Sequence, residues 1–297
     1  MTSDRLGTVF ERFRVQAVTF HAGPLCGVSH HDAGRGLGFI HVLRKGSMEV
    51  LHEREGGTAQ RMMLDEPTLI FYPRPWSHGF VNPPQGGSEL VCATLRFDGG
   101  AEHPIARALP PVVIVPLHSL SAIEHTLALL FAEAENARNG EPLLANRLFE
   151  VLLIQLLRWL LERPALYPLP PGLFAGLAHP QLAQALVAMS ERPAEAWSIE
   201  RLAERAGLSR SRFAELFRDV VGDTPVEHLA QWRIALAKRG LSRGDPIKRI
   251  AAEVGYGSAS ALSRAFSSHT GQSPSEWHAA QMAAQAQRAA TRAATLG

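Results

Sequence analysis

With 297 residues the chain is longer than one small hydrophobic core organises, and two domains are expected. An apolar content of 46% and a charged content of 20% exclude a disordered or fibrous chain. The formal net charge of +2 gives no strong electrostatic sign, but division at His179 leaves 15 Lys and Arg against 11 Asp and Glu on the C-terminal side (+4) and 15 against 17 before it (−2).

No apolar run follows Met1-Thr2-Ser3-Asp4-Arg5, so no secretion leader is expected. The most apolar stretch, Leu148 to Leu161, is too short for a bilayer and carries Glu150, Gln155 and Arg158. A cytoplasmic chain without a membrane span is expected.

From about Leu25 to Phe97, short apolar runs are broken by Gly, Pro and Asn, as in Gly38-Phe39-Ile40-His41-Val42-Leu43 and Thr68-Leu69-Ile70-Phe71-Tyr72-Pro73. This spacing predicts an antiparallel β-barrel or jelly roll domain over residues 1–118. The two cysteines, Cys26 and Cys92, both fall in it and are expected to be free thiols in a reducing compartment. Three readings of them stay open. They are small buried apolar residues, or they join His41 and His78 around zinc or another divalent metal, or an exposed low-pKa thiol is oxidised.

Residues 119–163 read as two helices. Leu120 to Asn139 is amphipathic, while Leu143 to Glu162 is apolar on more than one face and should be buried on more than one side. Pro164 to Gly176 holds four prolines and two glycines, which marks residues 164–178 as a linker.

The segment that follows, residues 179–284, is written twice. Ile199, Leu202, Ala203, Ala206 and Gly207 return 48 residues later as Ile247, Ile250, Ala251, Val254 and Gly255. Ser209, Phe213, Phe217, Gly222 and Pro225 return 49 residues later as Ser258, Leu262, Phe266, Gly271 and Pro274. Each copy predicts a short helix, a glycine turn and a second helix, the helix-turn-helix pattern of a DNA reader. Thr224-Pro225-Val226-Glu227 and Ser273-Pro274-Ser275-Glu276 both have the form of a capping box with proline at the first helical position. A long helix from about Pro225 to Leu241, roughly 25 Å at about 1.5 Å per residue, would join the two copies. The residues beyond 284 are expected to be a tail.

At these residues the chain resembles the AraC/XylS family of bacterial transcription regulators, on the duplicated spacing and on Gly255-Tyr256-Gly257-Ser258, Phe266 and Gly271-Gln272-Ser273-Pro274-Ser275-Glu276-Trp277. The family's usual aromatic in the second recognition helix is Leu262 here. The resemblance implies an all-α double helix-turn-helix domain that binds double-stranded DNA. It implies an α+β multidomain chain, a homodimer formed by the helical segment, RNA polymerase as partner and an activator's role. The DNA-binding set it implies is Arg210, Ser211, Arg212, Ala214, Glu215 and Arg218 in the first copy, with Ser211, Ala214 and Glu215 facing the groove and the arginines contacting the backbone. In the second copy the set is Lys248, Arg249, Ser258, Ala259, Ser260, Ser263, Arg264 and Ser267.

The N-terminal half is similar to cupins at Pro73-Arg74-Pro75-Trp76-Ser77-His78-Gly79-Phe80-Val81-Asn82, with Pro75 in place of a motif glycine. The other cupin motif is degraded: His30 and His31 stand where its paired histidines belong, and no glutamate precedes His41 at the expected point. Cys26, His41-Val42-Leu43, His78, Val91-Cys92 and Leu109-Pro110-Pro111 resemble the cupin subgroup that includes the reactive-chlorine-responsive activator. That resemblance implies redox sensing at Cys26 and Cys92, and an inducer that is an oxidant, an electrophile or a small ligand. Cys26, Cys92, His41 and His78 are expected to converge. The alternative to a regulator is a cupin metalloenzyme with a helical appendage, against which the missing glutamate counts.

Overall fold

The computed structural model describes residues 4–33, 36–52, 60–83, 87–98, 103–120, 123–135, 140–283 and 286. They form two compact units, one of Phe13–Pro170 and one that joins the described residues up to Arg12 to those from Pro171 onward. No helix among them is long and apolar enough to cross a membrane.

The first unit is a pair of antiparallel sheets. Strands β1 (Val15–Leu25), β8 (Ser88–Phe97), β3 (Gly38–Lys45), β6 (Thr68–Tyr72) and β9 (Val113–Pro116) make one sheet in that order. β2 (Gly27–His31), β7 (His78–Asn82), β4 (Met48–His52) and β5 (Gln60–Leu64) make the other. The expected barrel is thus built as two facing sheets. Phe39, Leu43, Ile70 and Leu90 from the first sheet meet Met48, Val50 and Phe80 from the second in one core. Such alternating inward residues are what a sandwich buries between its layers.

The first sheet is covered on its outer side, which is why β3 is buried at six consecutive positions. After α2 (Pro104–Arg107), the cover is α3 (Glu124–Glu135), within the first predicted helix, and α4 (Glu141–Glu162), which begins two residues ahead of the second. β1 is an edge strand, and an edge strand leaves every second N–H unpaired. Two residues of α4, one turn apart, supply acceptors. Asn146 Oδ1 accepts from the Thr19 N–H at 2.7 Å, and Glu150 Oε1 accepts from the Ala17 N–H at 3.4 Å. Leu152, Leu153, Leu156, Leu157 and Leu160 bury the same helix, while Leu143 and Val151 stay exposed on another face at 63% and 43%.

The second unit is helical. The residues assigned to the linker do not all run as linker: Leu173–Ala178 form α5, because Leu173, Phe174 and Leu177 have an apolar core to enter. Its unit also takes in the helix α1 (Gly7–Phe10), ahead of the strands. Arg5 donates to the Leu177 carbonyl at 3.1 Å, and Arg12 donates to the Glu191 carbonyl at 2.6 Å. After α6 (Ala183–Glu191) come the two matched copies: α7 (Ile199–Ala206) with α8 (Arg210–Val221), then α10 (Ile247–Val254) with α11 (Ala259–Thr270). α9 (Pro225–Ser242) joins them, and a further helix covers 274–283. The expected tail lies outside the described residues apart from Ala286.

If the α4 side chains protect the sheet edge, Asn146→Leu should leave the Thr19 amide buried without a partner. Such an orphan costs about 1–3 kcal/mol. A lower urea midpoint for the strand unit, with faster amide exchange at Thr19, is the expected result.

Candidate functional site

The duplicated copies are terminated and capped as their sequences require. Gly207 and Gly255 end α7 and α10 in the left-handed region, at φ 65° and 85°. Ser209 accepts from the Arg212 N–H and Ser258 from the Ala261 N–H, which fixes the first turns of α8 and α11. Phe213 and Phe217 on α8, and Leu262 and Phe266 on α11, are fully or almost fully buried. Both capping boxes form: the Thr224 N–H donates to Glu227 at 2.9 Å, and the Ser273 N–H to Glu276 at 2.8 Å.

With those side chains turned inward, the opposite faces are left open. On α8, Arg210, Ser211, Arg212, Glu215 and Arg218 are exposed and Ala214 is half-buried. Ser258, Ser260 and Arg264 are exposed in the second copy, with Ala259, Ser263 and Ser267 half-buried. The cations differ in how they are engaged. Arg210 pairs with Glu200 at 3.3 Å, Arg212 with Glu215 at 2.8 Å and Arg249 with Glu253 at 2.8 Å. Arg218, Lys248 and Arg264 form no ion pair among the described residues. Glu215, an odd carboxylate on such a face, is therefore the neutralising partner of Arg212 one turn away. Ser263 donates its hydroxyl to the Ala259 carbonyl at 2.9 Å, so only its lone pairs face outward.

In the strand unit the site is a buried histidine cluster. His31 at the end of β2 pairs in register with His78 at the start of β7, and His78 pairs in turn with His52 on β4. From the facing sheet His41 on β3 reaches across, its Nε2 2.9 Å from Nε2 of His78. The candidate donor atoms of His31, His41 and His78 all lie within 4.8 Å of one another. Tyr72 stacks on His78 at 3.9 Å between ring centroids and shares a 2.8 Å hydrogen bond with His52.

Burial sets the charge state of this cluster. Burial, aided by neighbouring imidazoles, lowers His31 to about 4, and at His78 it outweighs the opposing hydrogen bond to the Trp76 carbonyl and lowers that ring to about 3. His41 is lowered well below its ordinary value, by burial first and then by the imidazoles of His78, His31 and His21. All three are neutral near pH 7. His78 Nδ1 lies 2.7 Å from the Trp76 carbonyl, so it carries the proton and Nε2 keeps its lone pair. His31 Nε2 and His41 Nδ1 are buried without a hydrogen-bond partner. With these two nitrogens unclaimed and the His78 Nε2 lone pair meeting only His41 Nε2, the three neutral imidazoles fit a divalent transition metal bound at about 2.0–2.1 Å.

The comparisons with known proteins agree with both halves. A cupin family model matches residues 4–162, and a helix-turn-helix domain model matches residues 202–280. An HTH-type transcriptional regulator from Haemophilus influenzae is 32% identical over 271 residues, which is 84% of this chain and 89% of that protein. The chain belongs to the AraC family of transcription regulators. A putative AraC-like transcription regulator from Streptomyces antibioticus is 38% identical over 191 residues, 63% of this chain. The match spans about three fifths of that relative, 62% of its length. The RCS-specific HTH-type transcriptional activator RclR of Escherichia coli is 29% identical over 253 residues, 83% of this chain and 86% of that protein. These relatives carry regulators' names, and the metalloenzyme alternative gives way to the AraC reading.

Within this AraC family member the four residues expected to converge divide into two sets. His41 and His78 meet, and His31 completes the cluster. Cys26 does not join them. It is exposed in the turn before β2, while His31 lies at the far end of that strand, about 3.3 Å per residue away over five residues. Cys92 sits beside His41 in the β3–β8 register, but its side chain belongs to the apolar core, and burial pushes its thiol pKa far up. It is outside the group of neighbouring donors that contains His31, His41 and His78. His52 and Tyr72 were not among the expected residues: the β4–β7 register brings His52 beside His78, and Tyr72 reaches the same ring from β6 of the facing sheet.

A neutral buried histidine carries a sign for stability. The unfolded chain binds protons near pH 6.5, but His78 and His103 in the fold do so only near about 3. Their contribution is complete above pH 6.5 and is lost as pH falls toward 3, at about 1.4 kcal/mol per pH unit for each imidazole. The strand unit should be at least about 2 kcal/mol less stable at pH 5 than at pH 7.5, read as a shift of its denaturant midpoint.

Proposed function

We propose that the chain is a sequence-specific transcription regulator that reads double-stranded DNA with α8 and α11 and answers a signal received in its cupin unit. The observation that carries this reading is the pair of matched helix-turn-helix copies in one compact unit, each with a capped, outward-facing second helix. Arg264 is the base reader of the second copy. It is exposed, held by no carboxylate, and long enough to give guanine a bidentate contact. Arg218 and Lys248 serve as phosphate contacts, with Arg210, Arg212 and Arg249 released from their surface ion pairs on binding. Such exposed pairs are worth only about 0–1 kcal/mol, so their loss is easily offset.

The regulator acts as a homodimer and an activator that engages RNA polymerase in the cytoplasm. Leu129, Leu143, Leu144 and Val151, all exposed on α3 and α4, support a dimer built on this helical layer. In the cupin unit His31, His41 and His78 would hold a divalent metal, zinc among the candidates, which would tie the two sheets together by Lewis-acid coordination. A second reading of the sensor rests on the exposure of Cys26. An oxidant reaches that thiol first, whereas Cys92 is enclosed and kept protonated by burial.

Binding of the full-length protein to duplexes selected from a random pool tests the DNA reading. Arg264→Ala should cost about 1–3 kcal/mol and relax the preference at one position, whereas Arg218→Ala should weaken all sequences and lower the salt slope by about one. Uniform weakening by Arg264→Ala would demote it to a phosphate contact. For the sensor, purified protein is analysed for bound metal and then treated with hypochlorous acid. One equivalent of metal that His41→Ala loses supports the histidine site. Oxidation of Cys26 ahead of Cys92, with a change in DNA binding that Cys26→Ala abolishes, supports the thiol instead.

A further inference from the structure

The segment between α6 and α7, residues 192–198, touches both helix-turn-helix copies. On the side of the first copy, Arg201 of α7 donates to the Ala196 carbonyl at 2.8 Å and pairs with Glu195. Trp197 donates its indole N–H to the Arg192 carbonyl at 3.0 Å and lies beneath the guanidinium groups of Arg201 and Arg205, 4.9 and 5.2 Å from the ring centre. On the side of the second copy, Arg233 of α9 sends Nε to the Pro193 carbonyl at 2.7 Å and Nη2 to the Glu195 carbonyl at 3.1 Å. The same guanidinium stands 5.7 Å from the centre of the Tyr256 ring, just after α10. At Gly255 a Cβ would fall 2.6 Å from Ala194 Cα, so the turn that ends α10 rests directly on this segment's backbone.

The fork of an arginine fits two carbonyls at once, and a fork seated on an aromatic face is held in the third direction as well. Two carbonyls on one loop, and an aromatic from the other copy, make Arg233 the residue that both copies share. This guanidinium is half-buried, and its Nε and Nη2 are given to main-chain oxygens of the loop. Its effect is geometric.

We infer that Arg233 is a positioning residue that locks the two recognition helices at one separation and phase through the 193–195 segment, so that the protein reads its two half-sites at a single spacing. The inference rests on the DNA-reading function proposed above. One inserted base pair moves a half-site by about 3.4 Å and by about a tenth of a turn. A rigid pair of readers cannot follow that displacement, whereas a loosened pair can.

The test uses full-length protein and a duplex that the wild type selects from a random-sequence pool, remade with one base pair added to or removed from the stretch between the parts protected by α8 and α11. Wild type should lose affinity by at least about tenfold on either change. Arg233→Gln should bind the selected duplex more weakly, by about fivefold, and should show a spacing penalty of no more than about twofold. Arg233→Lys, which keeps the charge but not the fork, should behave like Arg233→Gln. Tyr256→Leu removes the aromatic seat and leaves the carbonyl bonds; it should also narrow the penalty, and it decides the matter if the Arg233 variants fail to fold. An unchanged tenfold penalty in folded variants, with equal losses at every spacing, would overturn the inference and leave Arg233 a purely structural residue. A wild-type protein that selects no sequence at all would overturn the DNA-reading function itself.

Discussion

A helix that keeps one face open for a partner must be held entirely by the face that remains. α8 and α11 each have twelve residues, and in each the anchoring falls to two side chains one turn apart. Phe213 and Phe217 hold the first, Leu262 and Phe266 the second, and full burial of such a side chain is worth about 1.5–3 kcal/mol. That is too little to fix a helix alone, so the short copies lean on α9, whose Trp232, Ile234 and Ala237 are buried. His228 of the same helix packs 5.7 Å from Phe217, and burial lowers it to about 4, which keeps it an uncharged wall. Further along α9, a Cβ at Gly240 would meet Ile250 at 2.9 Å, so glycine there lets α10 approach closely. The open faces exist because every other surface of these helices is committed.

The cupin unit answers a different constraint. Imidazoles can be buried together only if they are neutral, since each charged one would repel the others in a medium that screens poorly. The facing sheets achieve this with few polar partners: one carbonyl for His78, one phenol for His52, the contact between the Nε2 atoms of His41 and His78, and none for His31 Nε2 or His41 Nδ1. Unpartnered nitrogens in the interior are costly, at about 1–3 kcal/mol each. A fold that keeps them has them available for something that binds lone pairs. His103 differs in one respect. Its Nε2 is also buried without a hydrogen-bond partner, but its Nδ1 accepts the Ile105 N–H at a helix start, between Phe13 and Phe97, so that Nε2 carries the proton and offers no lone pair.

The helical half was legible in the sequence almost residue by residue because its rules are local. Apolar spacing, a serine cap, a left-handed glycine and a capping box each act within one or two turns, and Ile199–Ala206 and Ile247–Val254 begin and end where those signals stand. The cupin site was legible only in part. His41 and His78 could be marked by motif, but their company depends on the strand register. His31 enters because β2 pairs with β7, and His52 because β4 does so on the other side. The same limit misled the cysteines. Proximity to histidines along the chain placed Cys26 with them, whereas a strand carries it to the opposite end of the sheet. Asn146 and Glu150 were likewise invisible as caps of β1, since an edge strand's unpaired N–H groups are a property of the assembled sheet.

The domain boundary is drawn by local constraints on the chain. The chain passes between its two compact units twice, at Arg12–Phe13 and at Pro170–Pro171. The first crossing is anchored on one side by Arg5 and Arg12, both bound to main-chain carbonyls of the helical unit. The second is a pair of prolines, whose rings fix their own φ and restrict the residue before.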